Sequence, residues 1–385
     1  MGVLSGIRII ELAGIGPTPM GGMMLADMGA EVILIQRKTS NPNSANLADA
    51  ASLGKHAIFN RGKKAIALDL KNPKAIDLVL DLVDHSDALI EGFRPGIMEK
   101  LGLGPDICLQ RNPSLVFGRM TGWGQNGPLA HAAGHDINYI ALSGALYYSG
   151  HKEETPFSPP TLVGDVGGGT MFLALGVVSA LLHARATGQG QVVDVAISDC
   201  SALMNSLVQS FHSAGLWSDN RGENMLDSGA HWYDSFECKD GHYISIGSLE
   251  PKFYALLVRT LGLEDDPVFA NQMDKTQWPA AKAHLKALFI TKTRQEWSNV
   301  MEGTDICFAP VLNLSEAPHH PHNIARSTYV KKNGVMQAAP APKFTRTPSE
   351  IAGPPPEVSS HIDEILTVCG YNDAAIRTLK ECGAI

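Results

Sequence analysis

The sequence predicts an α/β protein: an open parallel sheet with helices on both faces, joined to a smaller α+β domain. Three observations carry this. Apolar runs of strand length alternate with helix-like stretches through the first two hundred residues, the connections between them are short and rich in Gly and Pro, and beyond Trp217 the pattern changes to a hairpin followed by helices. The chain has 385 residues, 44% of them hydrophobic, which is enough for two packed cores. With 38 glycines, 23 prolines and only 18% charged residues, it fits an enzyme with tight connections better than a coiled or disordered protein.

The alternation opens with a strand over Ile7 to Leu12, a turn at Gly14-Ile15-Gly16-Pro17, a helix over Met20 to Met28 and a strand over Val32 to Ile35. That is a βαβ unit. Gly14-x-Gly16 begins like a dinucleotide fingerprint, but the third glycine position holds Pro19, and the second strand ends in Gln36-Arg37-Lys38 rather than an acidic residue. NAD is therefore disfavoured and a ligand phosphate near Arg37 favoured, with a solvated strand end as the plain alternative. A further basic set, Lys55, Arg61, Lys63 and Lys64, precedes the strand Ala65 to Leu70. An amphipathic helix over Pro73 to Val83 leads to a buried strand, Ala88 to Ile90, and the loop Glu91-Gly92-Phe93-Arg94-Pro95-Gly96 leaves it. In such sheets ligands bind beyond the carboxyl ends of strands, where Gly14, Arg37 and Arg94 all fall.

Leu115 to Met120 reads as the next strand, followed by the turn-rich TGWGQNGP, and 137–147 reads as a helix. Pro156, Pro159 and Pro160 mark an extended connection to Asp165. A long buried helix over Gly168 to Ala186 is closed by Gly188, Gln191 to Ile197 is a strand, and Ser198 and Asp199 are suited to cap a helix over Ala202 to Ala214. Trp232 to Cys238 and His242 to Gly247 flank Asp240-Gly241 as a hairpin, and helices follow at Phe253 to Leu261, Pro279 to Phe289 and Arg294 to Glu302. The division expected is a large domain over 1–200, a linker helix over 201–224, a small α+β domain over 225–310, and a return strap with the last part of the large domain over 311–385.

Six cysteines without a CxxC pair indicate neither a disulfide framework nor a zinc site. His319, His320 and His322 lie close together, but Pro318 and Pro321 deny them helical ligand spacing, and no metal is expected. The N-terminal stretch lacks the features of a secretory signal, and the apolar run Met171 to Leu182 is shorter than the roughly 20 residues of a bilayer span. A cytoplasmic protein with no membrane partner is expected. A net charge of −8 argues against nucleic acid, though a local basic cluster can still hold an anionic ligand.

The chain also carries IELAGIGPTPMGGMMLADMGAEVILIQR, EGFRPGIMEKLGLGP, RMTGWGQNGP, AGHDINYIALSGAL, LVGDVGGGTMFL, GQGQVVDVAISD and CGYNDAAIRTLKECGAI in order along its length. In these it resembles the family III CoA-transferase superfamily and, within it, the racemases of 2-methyl-branched acyl-CoA thioesters. The resemblance implies a Rossmann-like large domain, a small domain on long linkers and an interlocked homodimer. It implies His135 and Asp165 as the two acid/base groups and Glu250 as an aid to the histidine. Acyl-CoA is then the substrate, with no separate cofactor, and Arg37, Lys38, Lys55, Arg61, Lys63 and Arg94 are the candidates to hold CoA.

The chemistry suits those residue types. Inverting a stereocentre beside a thioester carbonyl means removing a proton from one face and returning one to the other, through an enolate. Imidazole and carboxylate, with ordinary pKa values of about 6.5 and 3.9, can both do so if the site lifts the carboxylate. The backbone N–H groups of Gly164, Asp165, Val166 and Gly167, at the start of a helix, are expected to meet the enolate oxygen, the glycines allowing close approach. From the residues alone, Asp165 reads as a helix cap and His135 as a structural histidine; the family motifs around them turn both readings to function. The competing activities are a CoA-transferase with Asp165 as nucleophile, which has no need of His135, and an NADP-dependent oxidoreductase.

Overall fold

The structure, a computed structural model, describes residues 2–38 and 53–385. The chain forms two compact units, one of Met1–Ser143, Pro159–Met204 and Ser327–Ile385, the other of Gly144–Ser158 and Asn205–Arg326.

The first unit is built on strands that read as near-continuous apolar runs because both faces of a parallel sheet are covered. In chain order it contains β1 (Arg8–Leu12), α1 (Pro17–Asp27), β2 (Glu31–Arg37), β3 (Lys64–Leu68), α2 (Pro73–Asp84), β4 (Ala88–Glu91), α3 (Ile97–Lys100), α4 (Pro105–Arg111), β5 (Val116–Thr121) and α5 (Asp136–Leu142). A π-helix, Leu162–Met171, then runs directly into α6 (Phe172–Thr187), followed by β6 (Gln191–Ala196) and α7 (Ile197–Met204). The strands pair in parallel in the order β3-β2-β1-β4-β5-β6. The order reverses between β1 and β4, so the loops leaving these two strands diverge and open a crevice at the carboxyl edge.

Local chemistry sets the ends of these elements. Pro17 at the first position of α1 needs no N–H partner, and Gly16 takes φ 81° ahead of it. Asn72 accepts the Lys74 amide to cap α2, whose Ala75, Leu78, Val79, Leu82 and Val83 are buried at helical spacing. Gly188, at φ 76°, closes α6.

Several elements differ from the sequence expectation. The helix after His135 stops at Leu142 instead of continuing to 147, with Gly144 at φ 86° just beyond it. Ser198 and Asp199 lie inside α7, which follows β6 without a break, so they do not cap a later helix. The π-helix and α6 make one 26-residue helix, long and apolar enough by length and composition to cross a membrane, whereas the apolar run alone fell short. Its Leu173, Val177, Ala180, Leu181 and Ala184 are instead buried in the core beside β1, β4 and β5.

In the second unit α8 (Ser206–Ser213) is followed by β7 (Tyr233–Glu237) and β8 (Tyr243–Gly247), an antiparallel hairpin turning at Gly241 with φ 73°. Helices α9 (Pro251–Thr260), α10 (Trp278–Phe289) and α11 (Arg294–Met301) lead to β9 (Phe308–Val311), which pairs with β8. Trp232, Phe236, Trp278, Phe289 and Trp297 dominate its core. Because β9 completes this sheet, the chain remains in the second unit through Arg326 rather than returning at 311. Residues 144–158 belong to this unit too, and 201–204 to the first.

The return to the first unit brings a hairpin that the sequence did not announce, β10 (Tyr329–Lys332) with β11 (Val335–Ala338), then an extended stretch and the helices α13 (Ile362–Val368) and α14 (Asp373–Glu381); α12 (Pro321–Ala325) lies before it. Ile365, Leu366 and Leu379 pack into the same core as Leu68, Leu78 and Phe117.

Candidate active site

At the carboxyl edge of the first unit, β1 delivers Gly14–Gly16, β5 delivers Gly122 and Trp123, and α5 begins beside the π-helix. His135 is the residue ahead of α5, in extended backbone, with an exposed side chain. Two neighbours hold this turn. Asn138 Oδ1 accepts the His135 amide at 3.0 Å, and the Tyr139 hydroxyl donates to the Gly134 carbonyl. The Tyr139 ring stands edge-on to Trp123, with centroids 4.7 Å apart. A Cβ at Gly122 would lie 2.0 Å from that ring and one at Gly134 2.7 Å, so both positions require glycine.

Asp165 sits half-buried in the π-helix. Its amide donates to Asp136 Oδ1 at 2.7 Å, tying the first turn of α5 to the π-helix. Gly164 allows this contact, since a Cβ there would fall 2.5 Å from the same oxygen. The Asp165 carboxyl is pushed up to about 6, first by burial and then by the negative charge of Asp136, with the His135 charge acting in the opposite direction. Asp165 Oδ2 also comes within 3.8 Å of where a Cβ on Gly16 would stand, so the carboxylate faces the β1–α1 loop. The structure thus gathers an exposed imidazole and a carboxyl pushed up to about 6 at one edge of the sheet. Such a pair can take up and return protons. π-Helices are rare and frequent at functional sites; no periodicity in LVGDVGGGT distinguishes one from an α-helix.

Two of the four expected backbone donors, Asp165 and Val166, are already engaged. The Asp165 amide is engaged by Asp136, and Val166 donates to the Thr161 carbonyl at 3.0 Å, an i→i−5 bond. The helix begins at Leu162, so Gly164 and Asp165 lie in its first turn, and the Asp165 amide takes from Asp136 the acceptor that the helix itself cannot supply. Nor do the glycines make room for a ligand. A Cβ at Gly167 would meet Met204, at Gly168 Ser201 Oγ, and at Gly169 Pro17, so these positions let the π-helix pack closely on α7 and α1.

The cations separate into two groups. Arg37 and Lys38, at the end of β2, line a cleft of about 560 Å³ with Lys71, Phe93 and Leu101. Lys38 Nζ donates to the carbonyls of Gly383 at 3.1 Å and Ile385 at 2.7 Å. Arg94 is exposed on the loop after β4, and its charge acts on Tyr139; Lys55 is exposed as well. Lys71 escaped sequence reading, although its place just past β3 puts it on the same carboxyl edge as Arg37.

Arg61 and Lys63, expected to hold CoA, face inward. Arg61 binds both Asp27 oxygens, the Gln337 side chain and the Ala338 carbonyl. Lys63 and Glu11 form a fully buried pair at 2.7 Å, and Lys63 also donates to the Pro19 carbonyl and Asn60 Oδ1. Burial is the reason sequence reading placed them wrongly: a basic cluster before a strand looks solvated until the neighbouring acids are located.

Glu250 is an exposed residue of the second unit, directly before α9. His320 pairs with Glu302 at 2.8 Å, and among the described residues no cluster of three His, Cys, Asp or Glu is placed to hold a metal.

CoA-transferase family III matches residues 4–362. The chain is 40% identical over 379 residues to alpha-methylacyl-CoA racemase of Mus musculus, covering 98% of this chain and 96% of that one. It is 39% identical to alpha-methylacyl-CoA racemase of Homo sapiens over the same coverage. The crystal structure of a CAIB/BAIF family protein from Brucella suis superposes with a TM-score of 0.79 at 23% identity, covering 96% of this chain and 99% of that one, which shows the shared fold. By the extent of the family match and of these two relatives, the chain belongs to CoA-transferase family III.

Proposed function

We propose that this chain is an isomerase that racemises 2-methyl-branched acyl-CoA thioesters at C2, with His135 and Asp165 as the bases on opposite faces of the substrate. The observation that carries the reading is the pairing of these two groups, with the carboxyl raised to about 6. The relatives named alpha-methylacyl-CoA racemase support the substrate class. Lifting the carboxyl lets Asp165 hold a proton as well as release it, as a group that must act both as base and as conjugate acid requires. One base removes the C2 proton, an enolate forms, and the conjugate acid of the other returns a proton from the opposite side. The cleft bearing Arg37, Lys38 and Lys71 offers positive charge for the CoA phosphates and apolar walls for its base. Glu250 is assigned to assist His135 on the motif resemblance alone.

Deuterium incorporation at C2 of a 2-methylacyl-CoA in D₂O, with no acceptor acid present, is the expected result. Transfer of CoA to an added carboxylate without such exchange would instead establish the second reading, a family III CoA-transferase with Asp165 as nucleophile, which the family match also accommodates.

The active form proposed is a homodimer. Leu175 and Leu182 on α6, 62% and 74% exposed, and Leu203 on α7, 63% exposed, leave an apolar helical surface for a second copy to cover. Sedimentation equilibrium at micromolar concentration should give twice the 41.2 kDa chain mass, and a single-chain mass would refute the dimer.

A further inference from the structure

The loop Gly92–Gly96 carries two residues that face the proposed substrate region, Phe93 in the cleft with Arg37 and Lys71, and Arg94, whose charge reaches Tyr139 beside His135. A loop of this length, with a glycine at each end, has no regular structure to aim it. Both of its stems converge on one side chain. Glu91, the last residue of β4, is fully buried; its Oε2 accepts the Phe93 amide at 2.6 Å and its Oε1 accepts Arg119 Nε at 2.9 Å. Arg119 stands beside Glu91 in register on β5 and is itself only 7% exposed. Its two remaining nitrogens donate to Glu99 of α3, at 2.7 Å from Nη1 to Oε1 and 3.3 Å from Nη2 to Oε2. Glu91 governs the stem entering the loop and Glu99 the stem leaving it. One guanidinium therefore joins the two, and its planar fork of donors suits a carboxylate on each side.

We propose that Arg119 is a positioning residue that, through Glu91 and Glu99, holds the Phe93–Arg94 loop against the nucleotide part of an acyl-CoA. The proposal rests on the acyl-CoA reading above. It places the main effect of Arg119 on substrate affinity, because none of its bonds touches His135 or Asp165 and the loop's one link toward them is the charge of Arg94 acting on Tyr139.

The test compares Arg119→Lys and Glu99→Gln with wild type on two substrates, a 2-methylacyl-CoA and the matching pantetheine thioester, which lacks the nucleotide. Lysine can grip one carboxylate at a time, so Arg119→Lys is expected to raise KM for the CoA substrate about tenfold with kcat held within about twofold. Glu99→Gln frees only the outgoing stem and should raise KM by about threefold. KM for the pantetheine thioester should stay at the wild-type value in both variants. Unchanged KM for the CoA substrate, a fall in kcat alone, or equal losses on the two thioesters would overturn the clamp. If Arg119→Lys does not fold, Glu99→Gln decides the matter, since Glu99 is 46% exposed and its loss leaves the buried pair intact. Wild-type enzyme that exchanges no C2 proton would defeat the acyl-CoA reading itself, a result distinct from any of these.

Discussion

Asp165→Asn is expected to lower the racemisation rate by about 10²–10⁴-fold, the usual contribution of a general acid/base, while leaving the protein folded. The two halves of this expectation have one cause. The carboxyl is raised from 3.8 to about 6 by burial and by Asp136, so the folded state favours its protonated form. Stability linked to this group is complete below about 3.8 and declines as the pH rises to about 6; at pH 7 the wild type bears an ionised carboxylate that the fold disfavours. Asparagine lacks that charge, and its thermal midpoint should equal or exceed that of wild type. A loss of activity with stability retained separates chemistry from misfolding. The variant should also retain exchange of the C2 proton of one enantiomer, through His135, while the exchange of the other is lost; His135→Ala should show the opposite preference. Proton NMR in D₂O on each enantiomer reads this directly. Loss of exchange from both enantiomers in both variants, or racemisation that survives Asp165→Asn, would exclude one base per face. In wild type the direction in which Asp165 accepts the proton should slow as the pH falls below about 6, because the protonated carboxyl no longer acts as a base.

What the sequence disclosed, and what it withheld, follows from how far each interaction reaches along the chain. The strands and helices of the first unit are encoded by local apolar periodicity, Pro at helix starts and Gly at helix ends, so β1 through β6 fell close to their places. The hairpin around Gly241 was legible for the same reason. β9 was not, since Phe308–Val311 is short and partly exposed, and only its pairing with β8 makes it a strand. In the site, His135 and Asp165 stood out by residue type and motif. The link that joins them, the Asp165 amide to Asp136 Oδ1 across 29 positions, has no sequence signature. The same holds for Arg119, which in the sequence is simply a charge within an apolar strand.

Lys63 shows the cost of reading charge without partners, and it yields the other large effect expected. Lys63 and Glu11 are each 0% exposed, and Lys63 donates to three acceptors, which join the end of β1, the first turn of α1 and the turn before β3. Removing one member of such a pair leaves a buried charge without its counterion, so Lys63→Met should destabilise the protein by about 3–5 kcal/mol. The loss should vary with pH. Even with Lys63 present, burial raises Glu11 from 4.5 to about 7, and without the ammonium it rises further. A carboxyl raised in the folded state confers stability that is complete below 4.5 and disappears as the pH climbs through its folded value; the urea midpoint of Lys63→Met should therefore lie much closer to wild type at pH 5 than at pH 8. Glu11→Gln added to Lys63→Met should recover part of the loss and flatten that dependence, because no ionisable group then remains in the pocket. Were Lys63 a phosphate contact, the result would be reversed: KM for acyl-CoA would rise, the urea midpoint would hold, and the second substitution would restore nothing. Denaturation at the two pH values, set beside KM of the folded variant, decides between a structural cation and a binding one.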